Sequence, residues 1–127
     1  MMKYDVKFFR TEEFQCPCCG QGQTARLLVI WLDLFRAAWG CPVRINSGFR
    51  CEKHNVEVGG AARSRHLLGC AADIAPLGNA DMRSFRALTR RMFILPGWEV
   101  KEYPTFMHVA VPRDEAGRKW GGGAVMI

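Results

Sequence analysis

Between residues 24 and 39 apolar side chains recur at helical spacing. Leu27, Leu28, Trp31, Leu34, Phe35 and Ala38 form one stripe, and Arg26, Asp33 and Arg36 line the opposite face. The pattern predicts a helix from a Thr24 cap to about Trp39, ended by Gly40 and Pro42. Val43-Arg44-Ile45-Asn46 alternates and reads as a short strand, and Cys70 to Ala75 reads as a buried strand of small residues. Asn79 is expected to cap a second helix with Met82, Phe85, Leu88, Thr89 and Met92 inward, broken at Pro96-Gly97. Two further strands follow, Trp98 to Lys101 and Thr105 to Val111. In the latter, Phe106, His108 and Ala110 share one face and Met107, Val109 and Val111 the other.

The remaining segments lack periodicity. Residues 3–23 read as an irregular arm with a turn at Gly20-Gln21-Gly22-Gln23, and the tail around Gly121-Gly122-Gly123 reads as mobile up to Ala124–Ile127. Ser47 to Gly69 reads as mostly loop, and a loop of that length is uncommon unless it has a job. The sum is α+β, two main helices on a small antiparallel sheet, in a single domain spanning residues 1–127.

Composition narrows the class. The chain has 127 residues, 49% of them hydrophobic and 24% charged, which excludes disorder as the main state. No apolar run approaches the ~18 residues of a membrane span, and the start has no apolar stretch like that of a signal peptide. A cytoplasmic protein as synthesised is therefore expected. The net charge of +6 favours anionic partners without choosing among them. Arg83, Arg86, Arg90 and Arg91 form the one dense basic group, at the spacing of a solvated helix face.

Six cysteines are many for this length. Cys16-Pro17-Cys18-Cys19-Gly20 has ligand-like spacing, whereas Cys41, Cys51 and Cys70 stand singly. A structural metal there would need a fourth ligand from afar, with Cys51 or His54 the nearest candidates; partly buried thiols are the plainer alternative. A nucleic-acid-binding zinc protein built on these cysteines and the helix around Arg86 would leave residues 45–74 without a purpose, so nucleic acid is not the expected partner.

His66 and Asp73 are seven apart around a turn at Gly69, and His108 sits mid-strand among apolar residues. Two neutral imidazoles and a carboxylate make a standard ligand set for catalytic zinc, with the fourth position left for water. Bound zinc lowers the pKa of such a water to around 7. By spacing alone, a packed histidine and an ordinary strand-end carboxylate remain open alternatives.

The wider pattern is more specific. Ile45-Asn46-Ser47-Gly48-Phe49-Arg50, His54-Asn55, Val58-Gly59-Gly60-Ala61, Ser64-Arg65-His66, Gly69 and Ala71-Ala72-Asp73-Ile74 resemble the zinc D-Ala-D-Ala carboxypeptidase family, which includes phage endolysins and other peptidoglycan peptidases. Glu13-Phe14-Gln15-Cys16 and Tyr103-Pro104-Thr105-Phe106-Met107-His108-Val109 resemble its short, phage-type members, so the likeness runs over nearly the whole chain. It implies a hedgehog-like, D-Ala-D-Ala-peptidase-like fold, zinc as cofactor and a peptidoglycan stem peptide as substrate. His66, Asp73 and His108 would be the zinc ligands. Arg50 would be catalytic and substrate-binding, stabilising the scissile carbonyl oxygen or holding a carboxylate. Ser64 would bind substrate or orient the ligands, with turn capping as the alternative; His54 receives no metal role. A phage-type export route or a phage particle would carry such a protein to the wall.

Two positions depart from the family. Many relatives carry an acid three residues before the last His, where this chain has Thr105, and often Asp two after it, where this chain has Ala110. Glu102 is the expected replacement for the catalytic acid through the turn at Pro104, with Glu99 second to it. The alternative is a non-catalytic zinc-binding module of the same fold that binds cell wall or a protein partner.

Overall fold

The computed structural model describes residues 2–126. Its main sheet has four antiparallel strands, β2 (Val43–Ser47), β3 (Ala71–Pro76), β4 (Glu99–Glu102) and β5 (Met107–Ala110), in the order β2-β3-β5-β4. Helices α1 (Arg26–Trp39) and α3 (Met82–Met92) pack on each other. With Ala72, Ile74, Met107 and Val109 of the sheet they enclose the core. Phe35, Phe85 and Trp39 meet edge-on within it, with ring centroids 5.3 and 5.1 Å apart. The α+β class is as the sequence implies.

The helix boundaries differ in their caps. α1 starts after Ala25, and Thr24 does not cap it. The first N–H groups are satisfied by distant chain instead: Ala25 donates to the Gly69 carbonyl at 2.9 Å and Arg26 to that of Arg118 at 2.8 Å. α3 is capped by Asp81, which accepts from the Arg83 N–H, and not by Asn79.

The two ends of the chain are more ordered than their composition suggests. β1 (Lys3–Asp5) pairs antiparallel with β6 (Ala124–Met126), so the tail folds back onto the arm; Ile127 lies outside the described residues. The arm also covers the back of α1, which moves the buried stripe. Val29, Ile30 and Leu32 are buried and Leu34 is exposed. Asp33, expected on the polar face, is buried, accepting from the Tyr4 hydroxyl at 2.8 Å and the N–H groups of Lys7 and Phe8.

The long segment after β2 is not plain loop. It holds α2 (Glu52–Glu57) and a 3-10 turn over Arg65–Leu68, closed by Gly69 in the left-handed region at φ +71°. A Cβ at Gly69 would also collide with the Gln23 carbonyl oxygen, so position 69 admits glycine on two counts.

Candidate metal centre

The ladder sets the site. Asp73 of β3 lies opposite His108 of β5, so their side chains leave the same face of the sheet, away from Met107 and Val109 in the core. The 3-10 turn delivers His66 to that face. Its start is capped by Ser64, whose Oγ accepts the His66 N–H at 3.1 Å. His66, Asp73 and His108 are all buried, and their ligand atoms lie within 4.8 Å of one another.

Hydrogen bonds fix the rings. His66 Nδ1 lies 2.8 Å from the Gly48 carbonyl, which accepts only, so Nδ1 carries the proton. Nε2, 3.1 Å from Asp73 Oδ1, then presents its lone pair to that oxygen when the ring is neutral. His108 lies between two carboxylates: Nε2 meets Glu99 Oε1 at 2.9 Å, and Nδ1 faces the same Asp73 Oδ1 at 3.1 Å. With the His108 proton on the Glu99 side, two neutral rings aim two lone pairs at one anionic oxygen. A cation seated among the three atoms relieves this, as do protons on the rings. The set of two imidazole nitrogens and a carboxylate oxygen therefore fits a zinc ion, and the second nitrogen of each ring is already held from behind.

Burial pushes the Asp73 carboxyl up; without a cation, protons on His108 and His66 supply hydrogen bonds and charge that outweigh it and hold it well below the usual range. Burial also raises Glu99, and its bond to His108 and the charge of Arg65 bring it below its ordinary value. Arg65 Nε is 3.4 Å from Glu99 Oε2.

Arg50 is fixed at three points. Nε donates to Ser47 Oγ at 2.9 Å, Nη1 to Asn55 Oδ1 at 3.3 Å and Nη2 to Asp73 Oδ2 at 3.1 Å. Buried Asn55 is itself held by a bond to the Ala61 carbonyl at 2.9 Å, and a Cβ at Gly60 would collide with its Oδ1. The cluster opens into a cleft of about 480 Å³. Arg50, Ser64, Arg63, Arg65, Lys101 and Arg113 line it beside the three ligands and Glu99, which makes its rim strongly cationic.

Four of the residues singled out by sequence, Arg50, His66, Asp73 and His108, thus come together, and Ser64 borders the same cleft. Ser64 Oγ is engaged as a turn cap, leaving its O–H to donate into the cleft. Glu102 is not brought in, which corrects the expectation that the turn at Pro104 would swing it to the metal. Side chains alternate along β4, so Glu99 and Lys101 share the His108 face while Glu102, opposite Met107, points toward α3. There Arg90 Nη2 donates to it at 2.8 Å, and the Arg86 guanidinium lies 3.4 Å away. The Arg90 bond holds its carboxyl below the ordinary range. Thr105 is exposed and Ala110 carries no acid, but Glu99 is the ladder partner of Ala110, so a carboxylate does stand over that position. The Gly48 carbonyl and the Arg65–Glu99 pair had no signal in the sequence, because both depend on chain crossings.

Such a cluster is of the kind that holds one divalent cation with a side open to a substrate cleft. The profile of the family described as Peptidase M15 matches residues 7–110, and the chain belongs to that family. It is also 46% identical over 66 residues to the zinc D-Ala-D-Ala carboxypeptidase of Streptomyces albus G. That stretch is 50% of this chain and 24% of the relative, so the match spans about a quarter of the relative's length.

Proposed function

We propose that residues 1–127 act as a zinc-dependent peptidase on peptidoglycan stem peptides, of D-Ala-D-Ala carboxypeptidase or related endopeptidase type. The observation that carries this reading is the convergence of His66 Nε2, Asp73 Oδ1 and His108 Nδ1 at the floor of a cationic cleft. These three atoms would hold the zinc. When bound, zinc polarises a carbonyl and makes water a nucleophile near neutral pH.

The chain's own groups do the rest. Gly48 and Glu99 keep the outer ring protons of His66 and His108 in place, so the inner nitrogens stay available as donors. Arg50, immobilised before substrate arrives, presents fixed positive charge where negative charge develops on the scissile carbonyl oxygen. The cationic rim suits a peptide ending in a free carboxylate, which Arg63, Lys101 or Arg113 can meet. The likeness to phage-type members extends the proposal to a lytic role against the cell wall. Among the described residues no helix is long and apolar enough to cross a membrane.

A second reading, a zinc-binding module of the same fold without catalysis, is favoured by one observation. Positions 105 and 110 carry no acid, and Glu102 faces away. Zinc-loaded protein incubated with D-Ala-D-Ala-ended stem peptides and with peptidoglycan fragments decides between them. Release of D-Ala or cut peptide, lost in His66→Ala, is the expected result. Absence of cleavage by protein with zinc bound at His66 overturns the peptidase reading in favour of the module.

A further inference from the structure

Cys16, Cys19 and Cys51 meet next to the segment that carries Arg50. Their sulfurs lie within 4.8 Å of one another, and all three are free thiols. Cys16 Sγ and Cys51 Sγ are 3.7 Å apart. That is far beyond a disulfide's ~2.05 Å. It is close to the roughly 3.8 Å that separates two sulfurs each about 2.3 Å from one tetrahedral zinc ion.

The backbone around them is shaped for thiolates. Cys16-Pro17-Cys18-Cys19-Gly20 turns tightly, the Gly20 N–H donating to the Cys16 carbonyl at 2.8 Å with Gly20 at φ +73°. Cys16 Sγ accepts from the Cys51 N–H at 3.5 Å, and Cys51 Sγ accepts from the His54 N–H at 3.5 Å. Cys18 stands on the same turn, exposed and outside this three-sulfur group.

We propose that Cys16, Cys19 and Cys51 bind a structural zinc ion, separate from the histidine cluster, that staples the N-terminal arm to the Arg50 segment, with the exposed Cys18 thiol of the same turn swinging in as the fourth donor. The staple lies one residue from Arg50. The same segment is already laid along the arm and the ligand turn: the Phe49 N–H donates to the Phe14 carbonyl at 2.9 Å, and the Arg50 N–H to the His66 carbonyl at 3.1 Å. A Cβ at Gly48 would come within 2.7 Å of Phe14 Cα. An ion at the cysteines therefore holds the strand of chain from which the Gly48 carbonyl steers the His66 ring and Arg50 reaches Asp73. Four thiolates leave no open position, so the site is structural and not catalytic.

The test uses the full chain, purified with a phosphine reductant, with metal counted per chain by mass spectrometry. Wild type is expected to hold two zinc ions, and His66→Ala and Cys16→Ser one each. After cobalt replacement, His66→Ala keeps an intense thiolate-to-cobalt band in the near ultraviolet and Cys16→Ser lacks it. Where Cys16→Ser does not fold, alkylation of wild-type Cys16, Cys19 and Cys51 serves instead, slow with zinc bound and fast after a chelator is added. Metal-free His66→Ala, alkylation at one rate with and without chelator, or a Cys16–Cys51 disulfide under reductant overturns the proposal. None of these readouts depends on peptidase activity, so this site and the proposed function fail separately.

Discussion

The histidine cluster and the cysteine cluster flank one segment of chain, residues 47–54, yet they are assembled in different ways. His66, Asp73 and His108 stand on a sheet ladder and a capped 3-10 turn, are buried, and open on one side to a cleft. Cys16, Cys19 and Cys51 come from a turn in the arm and the residue that caps α2, with backbone N–H groups as their main support. In the first, the Gly48 backbone carbonyl and the Glu99 carboxylate hold the outer ring nitrogens, so that the other nitrogen of each ring faces inward. In the second, the chain folds its amides around sulfur. The contrast teaches that regular structure gives an open site its geometry in advance, whereas a closed structural site can be built from irregular chain that the ion itself completes.

Arg50→Ala is the sharpest way to separate the two. It is expected to lower kcat by roughly 10²–10³, as removal of a fixed oxyanion donor does, while metal content at both clusters is unchanged. Steady-state kinetics beside metal analysis reads both. Glu99→Ala removes the acceptor behind His108 and should weaken metal binding at the histidine cluster by about 10–100-fold. Chelator competition should show no change at the cysteines.

Asp33→Ala acts on the other side. It leaves the Tyr4 hydroxyl and the N–H groups of Lys7 and Phe8 without their acceptor and should cost about 1–3 kcal/mol in denaturant unfolding. Because it loosens the arm, it should speed alkylation of the cysteines and leave metal affinity at His66 as it was. The same contact has a pH signature. Burial and the bond to Asp33 raise the Tyr4 hydroxyl from 10.0 to about 12. Its contribution is full below the unfolded value and is lost as pH rises through about 12. Alkaline unfolding of Tyr4→Phe should lack that loss. The smallest effect is expected of Glu102→Ala. Its carboxylate is exposed beside Arg86 and Arg90, so stability should stay within ~0.5 kcal/mol of wild type, with kcat and metal content unmoved.

Much of the site was legible because its parts carry local signatures. The Ser64-Arg65-His66 and Ala71-Ala72-Asp73-Ile74 blocks surround a turn whose glycine is forced by backbone geometry, and His108 stands in an alternating strand. Arg50 was legible for the same reason, lying within a dense run of matches to one family. The misses are of another kind. Asp33 looks like a surface residue along the helix period, and only the arm crossing behind α1 buries it. Thr24 looks like a cap, but the N–H groups of Ala25 and Arg26 go instead to the carbonyls of Gly69 and Arg118.

The sequence by itself determined the class of fold, the order of the elements and the identity of the residues able to hold a metal, because periodicity and turn chemistry act over a few neighbours. Tertiary structure decided which carboxylate joins them. Glu99 and Glu102 lie three apart on one short strand, so they must face opposite ways, and nothing local says which faces the histidines. Pairing of Glu99 with Ala110 and Glu102 with Met107 settles it. Likewise, Cys51 reaches Cys16 and Cys19 only because the arm packs Phe14 against Gly48 and Phe49. Register and long-range packing couple residues far apart in the chain, and their free energy is shared across the whole core rather than written at any one position.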